Sequence, residues 1–205
     1  MKALKITVLI LLFCGFGIAQ ASAQSMGKKY KTIYVERVIN APALRVWEAM
    51  VLDYGEISNF SPYIYASNYE KGSLKGDLHA ERKCSFNEKG NRWTHEKIME
   101  IDHKNMIMRN VVIDANKFPL NQDNSQAFYR VKDNWDGTST ASYEFQYRTQ
   151  PGFMTGIVKG KFEQTLEGTL IGLKHYVETG EVVNATTGNW KAIKTRYTND
   201  HLPIN

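Results

Sequence analysis

The sequence predicts an α+β fold: a curved antiparallel sheet closing on one long C-terminal helix, with two short helices after the first strand. Three observations carry this. Six strand-like runs separated by short turns fill residues 65–148. One strand ending at an Asn-Ala-Pro break precedes them, at residues 32–42. Residues 151–179 form a single long stretch of helical spacing with Pro151 at its start. Closely spaced strands with short turns make a meander, and helices laid on one face of such a sheet define the α+β class.

The elements follow in order. TIYVERVI (32–39) alternates, with Ile33, Val35 and Arg37 on one face, and reads as a strand. Asn40 can cap a helix and Pro42 suits its first turn. Leu44, Val46, Trp47, Met50 and Val51 continue at helical spacing, so 42–52 is a short amphipathic helix. Residues 54–64 form a second short helix or turn that stops before Pro62. The strand runs are 65–71, 77–87, 92–101, 105–115, 125–133 and 139–148. The last helix covers 151–179. The tail, 181–205, is polar apart from Trp190 and Tyr197 and is expected to be ordered only in part.

The N-terminus is of another kind. MKALK leads into ITVLILLFCGFGIA, and Ala21-Ser22-Ala23 offers a small-x-small cleavage site. This is the layout of a secretory signal peptide over residues 1–23, which places the mature chain in the periplasm or outside the cell. The apolar run is shorter than the roughly 20 residues a membrane span needs, so no stable span is expected after cleavage. The leader carries two lysines and no acid, so its loss lowers the net charge from +5 to +3. The remaining charge is dispersed, with no basic block, which argues against a nucleic-acid partner. Cys14 leaves with the leader, and Cys84 remains as a lone cysteine that reads as a small buried side chain.

The long helix carries Gly156, Gly160, Gly168 and Gly172, each costing a helix interior roughly 1 kcal/mol relative to alanine. At 100° per residue, Val158, Phe162, Leu166, Leu170, Leu173 and Val177 form an apolar lane. Beside it runs a slim lane of Thr165, Gly168, Thr169, Gly172 and Tyr176. Glu163, Glu167, Lys174 and His175 form the polar face. Two readings of the slim lane stand: close packing against a neighbour, or the wall of a ligand cavity. Gly156 and Gly160 allow the chain to bend into the helix.

The hairpin DLHAERKCSF (77–86) and RWTHEKIMEI (92–101) is joined by NEKGN. If it is symmetric about Lys89, Arg82 faces Glu96 and Cys84 faces Thr94. Alternation then puts Ala80, Arg82, Cys84, Thr94, Glu96 and Ile98 on one face, and the charged His79, Glu81, Lys83, His95 and Lys97 on the other. The first face turns inward. A buried charge needs a partner, and the cross-strand Arg82–Glu96 pair supplies one. The pair reads either as a partly exposed ion pair or as a polar anchor in an apolar cavity that orients a ligand's carboxyl, hydroxyl or carbonyl group.

These residues resemble a known family. The strand–Asn-Ala-Pro–helix opening, the Gly76-x5-Arg82-x-Cys84 strand, Gly90, Glu96, Asp102, Pro119-Leu120, the DGTS turn at 136–139 and the closing GLKHYVETGE (172–181) are similar to the polyketide cyclase/dehydrase-like, lipid-transport branch of the START-like (SRPBCC) helix-grip superfamily. The resemblance covers about residues 32–181. It implies a sheet gripping the C-terminal helix around a deep apolar pocket, with Arg82 and Glu96 at positions where the branch often places polar pocket residues. It does not imply an enzyme, because the superfamily holds carriers and hormone-binding proteins as well as cyclases.

The five histidines show no metal-ligand spacing with a carboxylate or cysteine partner, and no phosphate-cradling loop, dinucleotide fingerprint or nucleophile elbow is present. No metal, cofactor or catalytic residue is assigned. The expected function is an exported binding protein for a small hydrophobic or lipid-like ligand. Its expected contacts are Arg82, Cys84, Thr94, Glu96, Thr165, Gly168, Thr169, Gly172 and Tyr176. The alternative is a cyclase/dehydrase-like enzyme acting on an enolisable or aromatic substrate, in which Arg82 stabilises an oxyanion and Glu96 moves a proton.

Overall fold

The computed structural model describes residues 30–198; the leader read in residues 1–23 lies outside these. The strands are β1 (Lys31–Ile39), β2 (Ala66–Tyr69), β3 (Glu81–Ser85), β4 (Trp93–Asp102), β5 (Ile107–Asn116), β6 (Gln126–Asp133) and β7 (Ser139–Tyr147). The helices are α1 (Ala43–Trp47), α2 (Lys159–Thr179) and α3 (Trp190–Thr198). All seven strands form one antiparallel sheet in the order β1-β7-β6-β5-β4-β3-β2. Neighbours in sequence are neighbours in space except at β1, which pairs with β7. That is the topology short turns dictate.

Period-2 alternation sorts the side chains. Ile33, Val35, Arg37 and Ile39 of β1 are buried while the residues between them are exposed. Ala127, Tyr129 and Val131 of β6, and Ala141, Tyr143 and Tyr147 of β7, continue the same inner face. Register shifts in β4 at His95/Glu96 and Ile98/Glu100 bend that strand, and bulges of this kind curve a sheet. The concave face that results holds α2. α1 runs on through a wider π-helical turn (Glu48–Leu52) into a 3-10 segment (Tyr54–Asn59), closing one end of the sheet. Trp47, Met50, Tyr54 and Phe60 from this stretch are all fully buried.

The last helix begins later than its spacing predicts. Residues 152–155 form a 3-10 turn and α2 starts at Lys159. Thr155 explains the difference. Its hydroxyl donates to the Gly152 carbonyl and meets both the hydroxyl and the backbone N–H of Thr149, while its carbonyl accepts from the Tyr147 hydroxyl. This buried knot holds a compact turn where propensity alone allows helix. At the other end Gly180 adopts φ +79°, and its N–H returns to the Tyr176 carbonyl, a left-handed stop that glycine supplies without steric cost.

One expectation for the C-terminal region is extended and one is corrected. Within the polar tail, residues 190–198 form α3, whose Ile193 and Tyr197 bury against Ile171 and Val183. For the same reason Lys174 and His175 do not lie on a solvated helix face. Both are buried, because β1 and α3 cover them. Lys174 pairs with Glu178 at 2.9 Å and donates to the Val38 carbonyl. His175 meets Glu181 at 2.9 Å and the Tyr197 hydroxyl at 3.3 Å. Arg37 donates to the Tyr197 carbonyl. A helical wheel shows which side chains share a face, not what a later segment will lay upon it.

Candidate functional site

The β3–β4 register pairs Arg82 with Glu96 and Cys84 with Thr94, as symmetry about Lys89 predicts. Inward alternation then delivers all four to the concave face. Trp93 lies on the outer face, where the Lys83 ammonium sits 4.0 Å from its ring centroid, so an aromatic there is covered without entering the core.

Between the sheet and α2 lies a cavity of about 120 Å³. Apolar side chains make most of its wall: Ile57, Ile64, Phe86, Val112, Leu120 and Leu166 are representative. At one end a polar cluster gathers around Arg82. Its Nε and one terminal nitrogen donate to the same Glu96 oxygen, at 3.0 and 2.7 Å. The second terminal nitrogen donates to the Tyr54 carbonyl at 2.9 Å, and the first also reaches the Tyr129 hydroxyl at 2.8 Å. The guanidinium carbon lies 3.9 Å from the Tyr54 ring centroid. Asn110 donates to the same Glu96 oxygen and to the Tyr54 and Tyr129 hydroxyls. Thr94 donates to the other Glu96 oxygen.

The electrostatics follow from burial and pairing. Burial opposes the Arg82 charge, but Glu96 beside it raises the guanidinium well above its ordinary value. Burial pushes the Cys84 thiol up to about 12, so it remains a thiol and is no nucleophile at neutral pH. Burial also lifts the Tyr129 hydroxyl to about 12 and raises those of Tyr54 and Tyr143 well above theirs. The cluster is thus one balanced ion pair surrounded by neutral donors.

Of the nine residues the sequence pointed to, six line this cavity: Arg82, Cys84, Thr94, Glu96, Thr165 and Thr169. Gly168, Gly172 and Tyr176 do not. A side chain on Gly172 would collide with the Phe60 carbonyl oxygen, and one on Gly168 would meet the Tyr63 ring at 2.6 Å. Tyr176 packs instead near Phe60, with ring centroids 6.3 Å apart. At the two glycines the slim lane is a seat for the 60–63 segment. Only its threonines reach the cavity, where Thr169 also meets the Ser61 hydroxyl at 2.9 Å.

Sequence reasoning missed Tyr54, Asn110, Tyr129 and Tyr143. The last three were within reach. Asn110 lies in phase with the buried Met108 and Val112, Tyr129 with Ala127 and Val131, and Tyr143 with Ala141 and Tyr147. A polar or aromatic side chain in the inward phase of a strand signals a cavity.

A second, outer space of about 460 Å³ shares Phe86, Phe118, Phe162 and Thr165 with the inner cavity. The three rings stand in a row, Phe86–Phe118 at 4.4 Å and Phe118–Phe162 at 6.0 Å. They form an aromatic partition between an inner chamber and a vestibule bounded by Tyr63, Met154, Val158 and Lys161.

Comparison with known proteins agrees with this geometry. Residues 31–178 match the family described as "Polyketide cyclase / dehydrase and lipid transport". The chain belongs to that family, within the SRPBCC helix-grip superfamily. Solved structures share the fold at low identity. Ara h 8.0201 superposes with a TM-score of 0.59 at 18% identity, covering 73% of this chain and 99% of its own. A point mutant of norcoclaurine synthase from Thalictrum flavum, in complex with a transition-state analogue, gives 0.57 at 13%, covering 74% and 96%. XoxI from Bacillus cereus gives 0.56 at 16%, covering 72% and 96%. No curated protein matches the chain by sequence. Among the described residues no helix is long and apolar enough to cross a membrane.

Proposed function

We propose that this protein is an exported binding protein that holds a small hydrophobic or lipid-like ligand in the chamber between α2 and the sheet. The observation that carries the reading is the chamber itself. It is an apolar-walled space of about 120 Å³, continuous in its lining with a larger vestibule and closed at its inner end by a charge-balanced polar cluster. Apolar walls with a few convergent polar groups are the lining of a ligand pocket; about 120 Å³ admits little more than a single ring, so the body of a larger ligand extends into the vestibule of about 460 Å³. The family's description includes both lipid transport and cyclase/dehydrase chemistry.

Binding is favoured over turnover by the state of the polar cluster. Glu96 accepts four hydrogen bonds, two of them from Arg82. A carboxylate so engaged has little freedom to swing toward a substrate and move a proton. Cys84 is a protonated thiol. Export rests on the leader sequence of residues 1–23. It is tested by finding the mature protein in the periplasmic or culture fraction with an N-terminus near residue 24.

Native mass spectrometry of the purified protein, before and after exposure to a lipid extract, tests the binding reading. The expected result is a mass increment that disappears on denaturation. A protein that stays at its bare mass through both conditions contradicts it.

A further inference from the structure

The vestibule carries charge of one sign. Arg92 and Lys161 border it, and among the described residues no aspartate or glutamate does. The rest of its wall is largely aromatic and aliphatic, with Phe86, Phe118, Met154 and Phe162 prominent. Positive charge beside an apolar surface is the complement of a molecule with one anionic end and a hydrocarbon body.

Neither cation is committed elsewhere. Arg109 pairs with Glu100, Arg130 with Glu144 and Lys159 with Glu163. Arg92 and Lys161 pair with no acid among the described residues. Arg92 is half-buried, and its Nε is enclosed without a hydrogen-bond partner. Its two terminal nitrogens also bond to nothing among the described residues, but they stay accessible. Those two nitrogens are its working donors. The guanidinium carbon lies 5.2 Å from the ring centroid of Phe118, part of the aromatic partition that the vestibule shares with the chamber. The ring shields one side of the group from water. The terminal nitrogens then form a fork suited to a carboxylate or phosphate.

Lys161 comes from a different element. It is exposed and stands in the first turn of α2, where no acidic residue is found. A helix dipole disfavours a cation at that end and favours an anion. A residue that breaks a local rule without compensation inside the protein marks a functional position.

The inner end of the chamber is the opposite case. Arg82 is enclosed and its charge is matched by Glu96. An anion carried in there would lie near Glu96 with no free cation to offset it, which is costly in a dry site. The two ends of the space therefore differ, and they impose an orientation on what enters.

Resting on the proposed binding function, we propose that the ligand is an amphiphile whose anionic head group, a carboxylate or a phosphate ester, is held in the vestibule by Arg92 and Lys161. Its hydrocarbon chain runs inward along Phe86, Phe118 and Phe162.

The test is displacement of the neutral dye N-phenyl-1-naphthylamine from the purified protein by decanoate, decyl phosphate and decan-1-ol, at low salt and about pH 8, where both acids are ionised. At least one of the two anions is expected to bind about tenfold more tightly than the alcohol, the worth of a charge-assisted contact, and the tighter one names the head group. Raising the ionic strength from about 20 mM to about 500 mM should shrink that advantage, since the site is open to solvent. Arg92→Gln with Lys161→Gln is expected to erase it while leaving the alcohol's affinity within about twofold. Lys104→Gln with Lys132→Gln removes the same net charge from exposed positions outside the vestibule lining and is expected to preserve it. An alcohol that binds as tightly as both anions overturns the proposal. So does an anion advantage that survives in the folded Arg92/Lys161 variant, or one that is lost equally in the Lys104/Lys132 variant. A wild-type protein that takes up no dye at all removes the binding reading and this proposal together, whereas the other outcomes remove this proposal alone.

Discussion

A side chain on Gly172 would begin inside van der Waals contact of the Phe60 carbonyl oxygen. Backbone cannot move aside as a side-chain tip can, so this is the point where α2 is pinned to the loop that precedes β2. Gly172→Ala is expected to destabilise the protein by roughly 1–3 kcal/mol. Gly168→Ala should cost less, because its obstacle is the half-buried Tyr63 ring. At Gly160 nothing lies within 4 Å of an added methyl group, so Gly160→Ala should instead stabilise by up to about 1 kcal/mol through helix propensity. Urea denaturation midpoints of the three variants check the order.

The Arg82–Glu96 pair makes a different prediction. Removing one member leaves a buried charge without its partner, so Arg82→Met or Glu96→Leu alone should cost roughly 3–5 kcal/mol. The double variant should recover part of that loss, because no lone charge remains. A double-mutant cycle from urea unfolding measures it. Simple additivity of the two losses would mean that the side chains are not coupled as their 2.7 Å contact requires.

The buried thiol and phenols predict alkaline sensitivity. Cys84 is raised from 9.0 to about 12 and Tyr129 from 10.0 to about 12 in the folded state. Above pH 9 the unfolded chain therefore releases protons that the folded chain retains. Stability is full below pH 9 and falls as the pH climbs toward 12. Denaturation midpoints at pH 8, 9.5 and 11 should decline in that order, and Cys84→Ala with Tyr129→Phe should flatten the decline. Below pH 9 Cys84 should resist iodoacetamide in the native protein and react once the protein is unfolded.

α3 is expected to be structural. Ile193 is 4% exposed, in a small cluster with Ile171, Val183 and Tyr197 that shares no residue with the lining of the chamber beneath α2. Ile193→Ala should lower stability by roughly 2–5 kcal/mol. Dye uptake by the folded fraction should stay unchanged, as read by thermal melting and fluorescence titration on the same samples.

Much of the molecule was legible in the sequence where one period ruled a segment. Alternation in β3 and β4, with the turn centred at Lys89, gave the Arg82–Glu96 pairing. Strand phase also held the signals for Asn110, Tyr129 and Tyr143. What stayed hidden depended on segments distant in the chain. Lys174 and His175 look solvated on a helical wheel, and α3 and β1 bury them. Gly168 and Gly172 read either as close packing or as cavity wall, and only the placement of residues 60–63 decides for close packing. α3 itself had a readable trace in Trp190, Ile193 and Tyr197, spaced three and four residues apart. It was masked by the polar composition around it.

The central claim is that the chamber beneath α2 takes an apolar ligand. Ala127 lines that chamber and is almost fully buried. The most direct measurement is titration of N-phenyl-1-naphthylamine into the wild type and into Ala127→Phe, with far-UV circular dichroism confirming that both are folded. Saturable uptake by the wild type is expected, and its loss when the new ring fills the space. Equal uptake by the filled variant, or none by the wild type, would contradict it.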